Sequence, residues 1–258
     1  MSPNTASAAR IYDYYLGGKD NFEADREAAE RLLTVIPEAQ ITARANREFL
    51  VRAVRCLAGL GIDQYIDLGA GIPTSPNVHE IARESVPGAH VVYLDNDPVV
   101  VTHNRALRST HDGVVSIDMD VRDSAEVRDH PEVRGLIDFS RPVGVLLLSV
   151  LQFFDDRDAR KIIDGIRSWM VPGSYLALST GEIEGSTVKR READKIYAHA
   201  GTRAVNRSRG EIMKVFEDFE LVPPGLTPIS KWRADGPEIH GIIFLGGIGK
   251  LTGQVGLA

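Results

Sequence analysis

A single cysteine, Cys56, occurs in 258 residues, so no internal disulfide can form, and a reducing, cytoplasmic compartment is the natural expectation. Cys56 falls in a helical run and reads as a packed thiol. Long apolar runs are also missing. Nothing approaches the roughly 18 residues of a membrane span. The start, Met1-Ser2-Pro3-Asn4, has neither the basic cluster nor the apolar stretch of a secretion signal, so no membrane partner is expected. Positive charge is in deficit. A net charge of −6 and a pI near 5.7, with basic residues scattered among acidic ones, lack the stripe that nucleic acid requires. Metal-ligand patterns are missing as well: there is no H-E-x-x-H or C-x-x-C, and His79, His199 and His240 have no Cys or acid partner at ligand spacing, so no metal is expected. Repeats, low-complexity blocks and linkers are absent too. The length suits one large α/β domain over residues 1–258, burying about 70 to 75% of the surface its unfolded form exposes.

What is present is organised around residues 65–72. The apolar run Tyr65-Ile66-Asp67-Leu68 breaks at Gly69-Ala70-Gly71, and a helical pattern follows, with Ser75 as its cap, Pro76 in its first turn and Val78, Ile81 and Ala82 on one face. Strand, glycine turn, helix is the order in which open α/β sheets receive nucleotide-like ligands. Two glycines around one small residue mark either a tight packed turn or a backbone approached closely by a ligand. A second buried strand, Val91-Val92-Tyr93-Leu94, ends in Asp95-Asn96-Asp97-Pro98. Asp95 lies 24 residues past Gly71, near the roughly 20-residue spacing at which a carboxylate holds ribose hydroxyls; Asp97 is the better helix cap. The dinucleotide fingerprint wants Gly or Ala where Thr74 stands, which disfavours an NAD-dependent oxidoreductase and favours a ligand without phosphates. Asp67, two residues before Gly69, matches the D-x-G-x-G pattern of S-adenosylmethionine (SAM) enzymes.

Three stretches carry a family resemblance: residues 67–74 with 77–80 and 92–98, the aromatic, glycine-rich segment 10–22, and Ala43-Arg44-Ala45-Asn46-Arg47-Glu48-Phe49-Leu50. Together they resemble a group of actinobacterial SAM-dependent methyltransferases long classed as a domain of unknown function. The resemblance implies a class I, Rossmann-like α/β fold, a seven-stranded mostly parallel sheet in the order 3-2-1-4-5-7-6. It also implies SAM as cofactor, with S-adenosylhomocysteine (SAH) as product. The expected cofactor residues are Asp67, Gly69, Ala70, Gly71, Asp95, Asn96 and Ser149, with Asp120 and Val121 at the adenine edge. Helices before the first strand, residues 1–60, form an N-terminal helical cap on the core, residues 61–258. The crowded aromatics and glycines of residues 12–18 either staple this cap to the body or cover the cofactor. In the second case Tyr14 joins the site, and Arg10, Arg44 and Arg47 become candidates for the methionine carboxylate, onto which a guanidinium can fork.

Further along, residues 114–119, 143–150 and 174–180 read as strands, a charged helix is expected over 186–200 and another near 209–216, and residues 220–222 and 240–245 read as a closing hairpin. Carboxyl ends of strands carry reactive groups in such sheets, which points to residues 149–154 and 179–184. Gln152 stands where relatives more often carry histidine, which counts against a general base there; it is a substrate-side candidate all the same, as is Glu182, which reads first as a helix-end or surface acid and second as a base. Phe153, Phe154, Tyr197 and Trp232 are expected to converge on a pocket for a small-molecule acceptor. The expected activity is methyl transfer from SAM to a small metabolite, with a noncatalytic SAM-binding regulator as the alternative; acceptor identity and oligomeric state stay open.

Overall fold

The structure, a computed structural model, describes residues 4–108, 111–182, 195–196, 198, 204–205, 207–236 and 239–253. Three helices come first: α1 (Ala8–Leu16), α2 (Glu23–Val35) and α3 (Ala39–Gly59). Helix α1 stops where Gly17 turns left-handed at φ 82°, a conformation glycine adopts at little cost. Ile11, Tyr15, Ala28, Ala29, Leu32, Val35 and Ala43 join α1, α2 and the start of α3 in a small apolar core of their own.

The rest alternates strand and helix: β1 (Gln64–Leu68), α4 (Val78–Arg83), β2 (His90–Asp95), α5 (Pro98–Arg108), β3 (Val114–Asp118), a 3-10 segment Val121–Asp129, α6 (Pro131–Arg134), β4 (Gly144–Leu148), α7 (Asp156–Trp169) and β5 (Tyr175–Gly181). Helix α8 (Arg209–Lys214) and strands β6 (Phe219–Leu221), β7 (Thr227–Pro228) and β8 (Phe244–Leu251) close the described chain. The sheet runs β3-β2-β1-β4-β5-β8-β6, parallel as far as β5 and antiparallel around β8, with β7 pairing on β8. Without the two-residue β7, this is the expected order.

Alternate residues of the central strands face opposite layers, as the two-residue period of a strand demands. Ile66, Val92, Val145 and Leu147 meet Ile162, Ile163 and Ile166 of α7. Tyr65, Val91, Tyr93 and Leu146 meet Phe49, Ala53, Val54 and Leu57 of α3. Burying one such side chain contributes about 1.5–3 kcal/mol, so these apolar stripes, more than helix propensity, hold α3 and α7 against the sheet.

Three local expectations are corrected. Helix α4 starts at Val78, not at Ser75-Pro76, because Glu80 reaches back to the backbone and side-chain amides of Asn77, making the later start the better-capped one. The last strand begins at Phe244 rather than His240 and runs to Leu251. A Cβ at Gly246 would come 2.7 Å from Ile229, and one at Gly249 would come 2.6 Å from Phe219, so the missing side chains are what let neighbours close on this strand. Cys56 is only half-buried, 3.1 Å from Nη1 of Arg233, and burial raises its pKa. The helix expected over 186–200 lies mostly outside the described residues. Among those described, no helix is long and apolar enough to cross a membrane.

Candidate functional site

At the carboxyl ends of β1 to β4 the chain encloses a cleft of about 880 Å³, within the roughly 300–1,000 Å³ that small ligands occupy. The glycine turn forms its floor. Gly69 and Ala70 donate their amides to the Leu94 carbonyl at 2.8 and 3.0 Å, folding the β1 exit against β2. Both glycines are left-handed, Gly69 at φ 74° and Gly71 at φ 63°; a Cβ on Gly69 would strike Val150 at 2.6 Å, whereas one on Gly71 would enter open space. Asp95 then locks the turn: one carboxylate oxygen accepts the Gly71 amide at 2.9 Å and the other the Asp97 amide at 3.0 Å. Burial raises the Asp95 pKa, with those amides opposing the rise.

Asp67, Gly69, Ala70, Gly71, Asp95, Asn96, Asp120, Val121, Ser149, Phe153 and Phe154 all line the cleft, as do Tyr12 of α1 and Asn46 and Arg47 of α3. The Asp120 carboxylate is already committed. It accepts from the Arg122 amide, Nε and Nη2 and from the Asn96 amide nitrogen, two bonds on each oxygen, and the Arg122 guanidinium holds its pKa down.

The arginines sort themselves differently from expectation. Arg10 is buried away from the cleft, its guanidinium forked between Asp25 and Asp97. Arg44 is exposed and does not line the cleft. Tyr14 points outward, donating to Glu30 at 2.5 Å. Arg47 faces the cleft; it donates to the carbonyls of Thr74 and Pro76, and its Nε is buried with no hydrogen-bond partner among the described residues. Burial lowers its pKa.

Beyond β4 a polar chain runs behind the cleft. Asn46 donates to Tyr12 Oη at 2.9 Å and accepts from Ser179 Oγ at 2.5 Å; that oxygen accepts the Ser149 amide at 3.0 Å; and Gln152 donates to Ser149 Oγ at 2.9 Å. Thr180 closes the run on Gln152. Gln152 is therefore a buried tie between β4 and β5 and lines no part of the cleft. Glu182 sits just past β5, its amide bonded to the Ile243 carbonyl, away from the lining. Trp232 is core: fully buried and set edge-on to Phe49, ring centroids 5.4 Å apart. Tyr197 lies outside the described residues. Sequence reasoning chose Tyr14 over Tyr12 within the covering stretch and passed over Asn46, although both Tyr12 and Asn46 lie in the stretches that carry the family resemblance.

The profile of the S-adenosyl methyltransferase family matches residues 1–251. The chain belongs to that family. It transfers a methyl group from SAM and releases SAH. A candidate methyltransferase from Thermobifida fusca YX superimposes on this methyltransferase with a TM-score of 0.91 at 38% identity, covering 97% of this chain and 96% of the other. A DUF574 family protein from Streptomyces avermitilis MA-4680 gives 0.89 at 36%, covering 96% and 98%. The 1,6-didemethyltoxoflavin-N1-methyltransferase of Burkholderia thailandensis, solved with that compound and SAH, shares the fold at a TM-score of 0.51 and 16% identity, covering 79% of each chain. No curated protein matches the methyltransferase by sequence.

Proposed function

We propose that this methyltransferase modifies a small, largely apolar or aromatic acceptor, held beside SAM in the strand-end cleft. The donor set suits SAM. Asp95 offers its remaining lone pairs to the ribose hydroxyls, and the open space at Gly71 lets the ligand lie against backbone. Val121 takes the adenine edge, since the Asp120 carboxylate is full and instead positions Asn96 and Arg122 around it. Arg47, with an unused buried N–H, takes the methionine carboxylate in place of Arg10 and Arg44.

When bound, SAM supplies an electrophilic methyl group on a sulfonium. The chain's own part is then placement and exclusion of water, which can carry much of such a rate. Helix α1 covers the cleft, while Asn46, Ser179 and Gln152 hold the β4 exit and Ser149 in position. Gln152 is a neutral amide facing away from the cleft, and the Tyr12 hydroxyl is occupied, its pKa raised by burial; just past β4, Asp155 and Asp158 bring carboxylates into the lining, Asp155 already accepting the Asp158 amide at 3.0 Å.

The observation that carries the reading is the placement of Phe153 and Phe154 in the same cleft as the glycine turn and Asp95. Incubation with methyl-labelled SAM and a fractionated host extract tests it. Label is expected in the small-molecule fraction; label only in protein or RNA would defeat the acceptor class, and SAH binding without label anywhere would favour a regulator.

A further inference from the structure

The N-terminal cap meets the body through a buried charge cluster that the chemistry above does not use. Arg10, Asp25 and Asp97 are 1%, 0% and 4% exposed. One cation faces two carboxylates, so the cluster is stable only if other donors make up the deficit. They do. Asp25 accepts from Arg10 Nε and from the amides of Ser7 and Phe22, each at 2.8 Å. Asp97 accepts from Ser7 Oγ at 2.6 Å, Arg10 Nη1 at 3.1 Å and the Val99 amide at 2.9 Å. The last Arg10 nitrogen, Nη2, reaches the Thr5 carbonyl at 2.6 Å.

Burying ions in this way is a poor route to stability, because desolvation offsets most of the attraction; its best-attested use is to fix one register among several. The register fixed here is informative. Asp97 is two residues past Asp95 and donates its amide to Asp95, whose other oxygen holds Gly71. Thr5, Ala6, Ala8 and Ala9, which flank Ser7 and Arg10, line the cleft. A single guanidinium thus joins the cover to the loop that carries the nucleoside-binding acid.

We propose that Arg10 is a positioning residue: acting through Asp97 and assisted by Ser7, it fixes Asp95 and docks α1 over the cleft, so that cap docking and SAM binding strengthen each other. This inference rests on Asp95 being the acid that binds the cofactor. Coupling of this kind is reciprocal: a cap that tightens the ligand is itself tightened by it.

Calorimetry with SAH and hydrogen exchange of residues 8–16 test the proposal on the full chain. Arg10→Lys keeps the charge but loses the fork, and should weaken SAH roughly tenfold; Ser7→Ala removes only the bond to Asp97 and should weaken it by about threefold to tenfold. Tyr14→Phe breaks a contact on the same helix with no tie to Asp97, and should leave SAH affinity unchanged. In the wild type, saturating SAH should slow exchange across residues 8–16, and Ser7→Ala should diminish that slowing. If Arg10→Lys does not fold, Ser7→Ala decides. Folded variants that bind SAH within about twofold of wild type, or an α1 whose exchange ignores SAH, would overturn the coupling. If Asp95→Ala loses SAH while Arg10→Lys and Ser7→Ala do not, the cofactor reading stands and this one falls. A wild type that binds no SAH would remove both.

Discussion

At the ends of β1, β2 and β3 the cleft is made of glycines and short acids set at strand termini, while at the ends of β4 and β5 it depends on side chains whose direction is decided by packing. In the first half the expected residues from Asp67 to Val121 all reach the lining. In the second half Ser149, Phe153 and Phe154 reach it, but Gln152 turns into a buried polar chain, Glu182 leaves the site and Trp232 becomes core. The contrast separates two kinds of specification. Backbone conformation and strand register place the first half, so few residue types can do the work. The other half inherits its shape from the contacts of α3 and β8.

Trp232→Ala tests the contrast most severely. Removing a fully buried ring set against Phe49 should cost about 3–5 kcal/mol of stability, read by thermal or denaturant unfolding, while the protein that remains folded binds SAH normally. A stable variant that has lost affinity for SAH or acceptor would return Trp232 to the cleft. Asp95→Ala should do the reverse, keeping the fold while weakening SAH by about a hundredfold, since charged acceptors contribute about 1.5–3 kcal/mol per hydrogen bond; calorimetry showing unchanged affinity would erase the difference between the halves.

Arg47→Met and Arg44→Ala sharpen the comparison within one helix. The first should weaken SAH by about tenfold, as loss of a charge-assisted hydrogen bond does, and the second by less than about twofold. Equal effects would mean that the facing of α3 is misassigned. Acidity probes the same half more gently. Burial raises the Asp95 pKa, so its carboxylate is the acceptor form only above that raised value. SAH affinity should therefore decline on acidification while the pH is still above the ordinary aspartate range, and Asp95→Asn should flatten that decline.

Legibility followed the same division. Gly69, Gly71 and Asp95 could be read because a glycine turn after a strand and an acid at the next strand end are tied by backbone geometry to one place in an open sheet. Arg10, Arg44 and Arg47 could not be ranked from the chain alone. Each lies on a helix, and which guanidinium meets the cleft depends on how α1 and α3 roll against the sheet and on Asp25, a partner 15 residues beyond Arg10. Tyr12 and Asn46 gave no chemical signal of their own, being neutral polar residues that gain meaning only from Ser179 and Ser149 across the fold. The order of the sheet was readable, but the extent of its last long strand was not, since glycine favours no strand by itself.

Within that last strand Gly246 pairs with Ser179, whose hydroxyl holds Asn46 of the cleft wall. At Gly246 the ring of Phe49 lies 2.9 Å from where a Cβ would be. Phe49 belongs to α3, three residues after Asn46 and two after Arg47. The gap between that helix and the sheet is set in part by the absence of one carbon on β8. A methyl group there would act as a shim under α3, tilting the wall that carries Asn46 and Arg47 and resizing the cleft from a position that touches neither ligand.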